Sequence, residues 1–382
     1  MTALSFTQVE IDGFRGLRSL HLKDLGRVNI LVGSNNCGKT SVLEALSVLC
    51  QPQNPQEWVR MVRRRDFGGL DETIVQSLRW CFAQTIPTDY NMLVEASCKF
   101  KCEGNFSLRE LRVRYKEFTE IISESLRERM IKRPGIRYTF AGRLLMGEDS
   151  EYRGAEIKHS PVWLKPDSTL EEELGITFKV TEIENTYVRN RKQTYFLESK
   201  TLSPYSYQIN RMQLRSQSEQ LFNDDRVSEL LKKFDSDIEA IRIGSFSGDR
   251  PAIYIKHRKL GEAPLSVFGD AMRRTVLLTT TLLSLKAGGL LFIDEVEAGI
   301  HVSGLANVFN WLVEAARKLE IQLFVTTHSL EALDTLISAN SEQTADDIVV
   351  YQLTQTEERT ENKRFSGDLL HSLRFDSGLD VR

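Results

Sequence analysis

The sequence predicts an α/β fold with a mainly parallel sheet, interrupted by a long inserted segment that is rich in β-strands. Strand-like and helix-like segments alternate in the first fifty residues and again after residue 251, whereas the stretch between them carries short alternating segments separated by polar turns. A glycine-containing loop near the start follows a short apolar run and opens an amphipathic segment. We therefore expect a discontinuous core of residues 1–50 and 251–382 and an inserted β/α lobe of residues 51–250.

The elements of the predicted core follow from their hydrophobic patterns. Apolar runs predict strands at SFTQVEI, VNILV, AIYIK, LLFID, IQLFVT and IVVYQL. Longer apolar periods predict helices near residues 270–285 and 305–319, and a short helix before the last strand. In the insert, one helix is predicted from about Ser218 to Ile241, whose apolar stripe could pack within the chain or join two copies.

The composition is that of an ordinary globular protein. Of its 382 residues, 41% are apolar and 27% are charged, so enough apolar surface exists to offset the entropy of ordering the chain. The formal net charge of −3 gives no overall signature of nucleic-acid binding. We find no apolar run of membrane-spanning length and no secretory signal pattern, so the five cysteines predict reduced thiols in a cytoplasmic protein.

A phosphate-binding loop is the strongest local signal. Residues Gly33–Ser41, GSNNCGKTS, fit the pattern G-x-x-x-x-G-K-[ST] in full. Because the loop follows a strand and opens a helix, its backbone N–H groups and the positive helix end would face the phosphates of ATP. Lys39 supplies a cation and Thr40 a hydroxyl ligand for Mg²⁺, which predicts a P-loop NTPase. The candidate nucleotide-binding residues of the loop are Gly33, Asn35, Asn36, Cys37, Gly38, Lys39, Thr40 and Ser41.

Acidic residues follow one of the later predicted strands. Asp294 and Glu295 come directly after LLFI, at the carboxyl edge where α/β sheets bind their ligands. Asp294 would hold Mg²⁺, and Glu295 would orient or activate the attacking water. His328 follows the next predicted strand and would donate a hydrogen bond to the γ-phosphate. The expected catalytic residues are therefore Lys39, Glu295 and His328.

A serine-containing loop precedes the predicted helix near residue 270. Ser266 would donate a hydrogen bond, and Gly269 lies where the positive end of the helix would point outward. Such a second anion site cannot easily share a phosphate that Gly33–Thr40 of the same chain already hold, so a twofold dimer with reciprocal sites is the natural arrangement. A helix that is merely capped is the alternative.

These segments, in this order, resemble the ATPase heads of the ATP-binding-cassette superfamily, in the branch of SMC proteins, RecF and OLD ATPases. VEIDGFRGLRSLHL resembles the opening strand pair of that branch. VNILVGSNNCGKTSVLEAL, PLSVFGDAMRR, FIDEVEAGIH and FVTTHSLEAL resemble its Walker A, signature, Walker B with D-loop, and His-switch segments. The resemblance implies ATP hydrolysis by an ATP-sandwiched homodimer with an antiparallel β subdomain. By position it brings Arg15 near the nucleotide, Gln84 to Mg²⁺ and Glu297–His301 to the dimer seam.

Departures from the family narrow the expected function. Val267, Phe268 and Ala271 replace the glycine-rich LSGGQ signature of transporters, which argues against a transporter cassette. Sustained heptads are missing, so the long arms of SMC proteins are not expected. A clear acidic D-x-D cluster is not seen after His328, so a Toprim nuclease domain is not expected in this chain either. The likeness to OLD-type ATPases then implies a sensor or regulatory subunit in prokaryotic anti-phage defence, with a separate nuclease effector such as a Toprim enzyme.

Three basic clusters of the insert could contact DNA. They are Arg60–Arg65, Arg127–Arg137 and Arg189–Lys192, and contacts to the phosphate backbone would need little more than such side chains. Solvated charged faces are the alternative, because acidic residues lie among them. Three other functions also stay open: a RecF-like repair or recombination factor, a nucleotide-gated scaffold that barely hydrolyses ATP, and an effector regulator that does not touch DNA.

Overall fold

The computed structural model describes residues 4–54, 56–65, 73–83, 93–121, 151–172, 176–181, 196–207, 225–244, 252–339 and 347–382. Within these ranges the strands are β1 Gln8–Asp12, β2 Leu20–Leu22, β3 Val28–Val32, β4 Glu95–Glu103, β5 Leu108–Ile121, β6 Glu151–Leu164, β7 Leu170–Glu172, β8 Ile176–Thr181, β9 Ser199–Leu202, β10 Ile238–Gly244, β11 Ala252–His257, β12 Gly261–Pro264, β13 Leu290–Ile293, β14 Gln322–Thr326, β15 Ile348–Gln355 and β16 Thr360–Ser366. The helices are α1 Lys39–Leu49, α2 Gln56–Arg65, α3 Ile74–Arg79, α4 Asp225–Lys232, α5 Asp270–Leu283, α6 Val302–Lys318, α7 Leu330–Ser338 and α8 Gly367–His371. None of these helices is both long and apolar enough to cross a membrane.

A six-stranded sheet positions the site, in the order β16-β15-β3-β14-β13-β9. Five strands pair in parallel and β16 adds an antiparallel edge. Along β3, Val28, Ile30 and Val32 belong to one hydrophobic cluster and Leu31 to another. Both faces are therefore buried, as is usual for parallel strands, and the predicted α/β class is confirmed.

Helices cover the two faces of this sheet from different parts of the chain. On one face, α1 packs in a cluster that also includes residues of a second, antiparallel sheet with the order β2-β1-β4-β5-β6-β7, in which β8 also pairs with β6. On the other face lie α5, α6 and α7, whose buried side chains include Leu278, Leu312 and Leu333. Because the helix after β3 and the helices after β13 and β14 lie on opposite faces, the carboxyl ends of these strands border a crevice where ligands bind in such sheets.

Both sheets contain strands from both sides of the predicted boundary after residue 50. Strand β9, from the expected insert, pairs in parallel with β13 and so lies in the central sheet. Strands β1 and β2, from the expected core, extend the antiparallel sheet through pairing of β1 with β4. The divisions after residues 50 and 250 otherwise stay a prediction.

The helix predicted from Ser218 to Ile241 is wrong in its second half. Helix α4 ends at Lys232, and the chain continues as β10, while residues 208–224 lie outside the described part. The side chain of Asp235 accepts a hydrogen bond from the N–H of Asp237, which stabilises a turn rather than another helical turn. After it, Ile241 pairs with Ile255 across β10 and β11, because β-branched side chains pack well on a pleated surface.

The apolar stripe of the same region packs within the chain. Val227 and Leu231 of α4 form one buried cluster with Ile238, Ile255 and Met272. For these described residues the stripe is therefore internal and does not form a surface for a second copy.

Candidate active site

The phosphate loop has the backbone geometry that its glycines allow. Gly33 and Gly38 have φ values of 141° and 99°, which side chains rarely tolerate. A Cβ at Gly33 would lie 2.4 Å from the carbonyl oxygen of Leu353, and one at Gly38 would lie 2.5 Å from Cδ2 of Leu17. Gly38 caps α1 without a side-chain hydrogen bond, and the first turn of α1 carries no acidic residue. The free N–H groups at this helix end are therefore available to an anion.

Lys39 is held inside the loop. Its side chain is buried, and Nζ donates hydrogen bonds to the carbonyl oxygens of Gly33, at 2.7 Å, and Ser34, at 2.9 Å. Nζ also lies 3.7 Å from Sγ of Cys37, a residue only 2% exposed, while Asn35 and Asn36 are exposed. An ammonium group with carbonyl partners on the loop can turn its donors toward a phosphate placed at the same loop.

Asp294 lies beside the loop at the end of β13. Oγ1 of Thr40 lies 3.0 Å from both carboxylate oxygens of Asp294, and Oγ1 of Thr326 lies 2.7 Å from one of them. Burial raises the pKa of Asp294, and the hydrogen bonds from Thr326 and Thr40 partly offset that effect. A hydroxyl and a carboxylate at this separation are the hard oxygen ligands that Mg²⁺ prefers, so these residues fit that ion.

Glu295 has a strained backbone and a perturbed carboxyl group. Its φ is 46°, in the left-handed region, and its N–H donates a 2.8 Å hydrogen bond to Oγ1 of Thr326. Burial raises the pKa of Glu295 most, the neighbouring charges of Asp294 and Glu297 raise it further, and His328 lowers it. A carboxylate whose pKa moves toward neutral pH suits a general base better than an unperturbed one.

His328 follows β14 and is exposed at the same edge of the sheet. Its N–H donates a 3.0 Å hydrogen bond to Oε1 of Glu297, and its carbonyl oxygen accepts a 2.9 Å hydrogen bond from Arg382. The hydrogen bond to Glu297 thus holds the backbone at His328, after β14, in place. His301, at the other end of the expected seam, caps α6 by accepting from the N–H of Ser303.

The serine loop, which comprises residues 265–269 before α5, lies on the surface. Leu265–Val267 form a single 3-10 turn, Gly269 caps α5, and Ser266 and Gly269 are both exposed. Gln84, the expected Mg²⁺ ligand, lies outside the described residues. The expected role of Gln84 in binding Mg²⁺ and the expected roles of the other site residues stay predictions.

Arg15 belongs to an ion-pair network that the sequence did not indicate. Its Nε lies 2.7 Å from the carboxylate of Glu44, a buried residue of α1, and its φ is 51°. Arg65 of α2 binds the same carboxylate through Nε at 2.7 Å and Nη2 at 2.8 Å. Glu44 lies one turn after Thr40 and therefore on the same face of α1. That spacing was the available signal for Glu44, whereas no local pattern pointed to Arg65.

The same contacts change the interpretation of the first basic cluster. Arg65 binds Glu44, while Arg60 and Arg64 both form ion pairs with Glu57. Three cations of Arg60–Arg65 are thus bound within the chain. The clusters Arg127–Arg137 and Arg189–Lys192 lie outside the described residues.

Two family models match the chain. The model described as "AAA ATPase domain" matches residues 6–242. The model described as "AAA domain, putative AbiEii toxin, Type IV TA system" matches residues 178–334. Together the matched ranges include the phosphate loop, the serine loop, Asp294, Glu295 and His328.

Curated relatives and solved structures are similar at low identity. A protein of Helicobacter pylori named "ATP/GTP phosphatase" is 23% identical over 355 residues, which cover 86% of each chain. A protein of Methanocaldococcus jannaschii is 28% identical over 109 residues, which cover 28% of this chain and 95% of that one. The Smc head domain from Pyrococcus furiosus, bound to the C-terminal domain of ScpA, has a TM-score of 0.48 at 9% identity and covers 99% of this chain and 100% of that one. The SMC head domain from Thermotoga maritima has a TM-score of 0.40 at 13% identity, with coverage of 96% and 99%.

Proposed function

Because the chain belongs to the AAA ATPase domain family, we propose that this ATPase closes as a head-to-head dimer on two nucleotides and regulates a separate effector in anti-phage defence. The membership confirms the predicted ATPase class. One observation supports the dimer above the others. Lys39 and Thr40 begin the helix after β3, and Asp294 and Glu295 follow β13, with β14 between the two strands. Oγ1 of Thr40 nevertheless lies 3.0 Å from the Asp294 carboxylate of the same chain, while the serine loop exposes Ser266 to solvent.

In the proposed reaction, each residue of the crevice has one task. Lys39 and the N–H groups at the start of α1 bind the phosphates, and Thr40 and Asp294 would hold Mg²⁺. Bound Mg²⁺ would neutralise charge on the phosphates. Glu295 accepts a proton from the attacking water, and His328 donates a hydrogen bond to the γ-phosphate. Most of the rate enhancement then comes from positioning and charge stabilisation.

In the proposed dimer, each chain supplies what the other lacks. Ser266 and the start of α5 would contact the γ-phosphate held by the partner's phosphate loop, so that the nucleotide joins the two surfaces. Hydrolysis removes that phosphate, and the interface loses its shared ligand. The state of the dimer would then report the nucleotide state to an attached effector.

The substitution Ser266→Arg should block ATP-dependent dimerisation without weakening ATP binding to the monomer. A long cation in the serine loop would fill the space of the partner's nucleotide, whereas the chain's own phosphate loop is untouched. The association constant with ATP should fall by roughly a hundredfold or more, because the substitution removes a hydrogen bond to a charged group and adds a steric clash. Analytical ultracentrifugation in the presence of ATP measures the association, with Glu295→Gln as the background to prevent turnover.

The matched control is Ser338→Arg, which adds the same side chain at an exposed serine near the end of α7. It should dimerise like the unmodified protein. Unchanged association of the Ser266→Arg protein would refute the shared site, and loss of ATP binding by its monomer would mean that the serine loop acts on its own chain's nucleotide.

The defence role rests on the comparisons and not on the site. A match to a model whose description names a toxin of a toxin–antitoxin system supports a link to such systems. We propose a cytoplasmic ATPase subunit with a separate nuclease, for example of the Toprim type, and DNA contact through the basic clusters of residues 51–250. Regulation of an effector without DNA contact is the second candidate, and the internal pairing of Arg60, Arg64 and Arg65 favours it. Salt-dependent DNA binding by the purified protein would support the first candidate over the second.

A bacterial host that expresses this chain with its flanking genes should resist phage, and Lys39→Ala should remove the resistance. Plating efficiency with and without the genes measures the effect. Lys318→Ala serves as control, because that exposed lysine pairs with its neighbour Glu314 on α6, away from the phosphate loop. Equal plating on hosts with and without the unmodified genes, over a broad phage panel, would contradict the defence role while leaving the ATPase intact.

A further inference from the structure

Arg274 is a fully buried cation next to the turn that follows β13 and carries Asp294 and Glu295. It lies on α5 with 0% of its surface exposed. One nitrogen, Nη1, donates a 2.8 Å hydrogen bond to the carbonyl oxygen of Ser203, at the end of β9. The other, Nη2, lies 3.3 Å from the carbonyl oxygens of both Asp294 and Glu295. The guanidinium therefore joins α5, the end of β9 and the turn that follows β13.

These contacts are unusual for a buried arginine. Among the described residues, its hydrogen-bond partners are backbone carbonyl oxygens rather than a carboxylate, and its Nε has no hydrogen-bond partner. Burial lowers the pKa of Arg274 to about 10, which reflects the cost of removing the cation from water. An apolar side chain of similar length would fill the space without that cost. The arrangement therefore indicates a task that only a charged, multidentate donor performs.

Arg274 binds the part of the backbone that has a strained conformation. Glu295 has a φ of 46°, which is costly for a residue with a side chain unless its surroundings hold it. The carbonyl groups on both sides of that strained bond point to the same guanidinium nitrogen. On the other side of the turn, Thr326 accepts from the N–H of Glu295. The contacts of Arg274 and Thr326 with the main chain of Glu295 thus determine the direction in which its carboxylate points.

The same helix begins at the serine loop. Gly269 caps α5, and Arg274 lies in its second turn, so a rigid helix connects the loop with the turn. A displacement of the serine loop would move the guanidinium, and with it the peptide groups of Asp294 and Glu295.

We propose that Arg274 is a positioning residue that connects helix α5 to the backbone of Glu295. When the partner's nucleotide contacts Ser266 and Gly269, the displacement of α5 is transmitted through Arg274 to Glu295, the general base of the same chain. The inference rests on the proposed dimer and on the proposed role of Glu295. It adds a path between the two nucleotide sites.

The test compares Arg274→Lys and Arg274→Met in the full chain. For Arg274→Met, kcat should fall by roughly a hundredfold, the effect of a small misplacement of a catalytic group, while the Kd for ATP stays within about twofold. Arg274→Lys should lie between Arg274→Met and the unmodified protein, since one ammonium can replace only part of the guanidinium contacts. Without nucleotide, hydrogen–deuterium exchange should rise at residues 294–298 and 203–207 and stay unchanged at residues 28–49.

The control is Arg359→Met, which removes an exposed arginine between β15 and β16 that is paired with Glu361. It should keep the exchange pattern at residues 294–298 and the kcat of the unmodified protein. Faster exchange over the whole chain in both Arg274 variants would show a general structural role and overturn the proposal, as would unchanged kcat in Arg274→Met. A parallel Glu295→Gln measurement separates the two levels: if that variant is inactive while Arg274→Met is fully active, this inference fails and the proposed base survives.

Discussion

The substitution Glu295→Gln is expected to lower kcat for ATP hydrolysis by roughly 10²–10⁴-fold, the range that general base catalysis contributes. The amide keeps the size of the side chain but cannot take a proton from water at neutral pH. ATP binding should persist, because Lys39, Thr40 and the loop glycines are unchanged. The main-chain contacts of the turn, to Thr326 and Arg274, do not involve the altered carboxylate.

The ATP-bound dimer should accumulate in this variant, because the shared phosphate is no longer removed. Steady-state phosphate release and sedimentation with ATP measure the two effects. Glu314→Gln is the matched control, since that exposed glutamate lies on α6 and pairs with Lys318. Hydrolysis by Glu295→Gln at the unmodified rate would remove Glu295 from the role of base. A variant that neither hydrolyses nor binds ATP would point to a defect in the fold of the turn.

The substitution Lys39→Ala should weaken ATP binding by roughly 10²–10⁴-fold. A hydrogen bond to a charged group contributes about 1.5–3 kcal/mol, and the ammonium can direct two such bonds to the phosphates, with about 1.4 kcal/mol for each factor of ten. The structure shows that two donors of Nζ are already aligned on the loop, at the carbonyl oxygens of Gly33 and Ser34. Alanine removes these donors and the only buried cation of the loop, so hydrolysis should be lost with binding.

Isothermal titration calorimetry with a non-hydrolysable ATP analogue measures this loss, and thermal unfolding without nucleotide shows whether the fold persists. Lys318→Ala is the control for loss of a single lysine. An unchanged Kd in a folded Lys39→Ala protein would mean that the phosphates are held elsewhere, and the phosphate loop would lose its assigned task.

The sequence alone predicted the elements whose signal is local. The loop Gly33–Ser41 was recognisable because close approach to a phosphate requires particular residue types at fixed short spacings. The strands before Gly33 and Asp294 were recognisable because parallel strands are buried on both faces and become continuous apolar runs. These features led to the α/β class and the ATPase assignment, which the fold and the family comparison confirm.

The failures of prediction occur where two local patterns compete. Over the residues around Asp235, a helical period and a strand alternation share the same apolar positions. The outcome depended on pairing with β11, which lies later in the chain. DNA contact by the arginines of α2 stays a prediction, and only the structure shows that Arg65 binds Glu44 beside the phosphate loop.

The sequence pattern alone was thus sufficient to predict which groups would touch ATP, because that chemistry restricts residue type and spacing over a few positions, and their roles stay predictions. The groups that hold those residues in place could be identified only after folding. Glu44 and Arg65 are 21 positions apart, and Arg274 reaches Glu295 from 21 positions away through a helix and a strand. Such pairings leave no short-range signature, since the distance between two side chains of separate elements is determined by how those elements pack and not by their order along the chain.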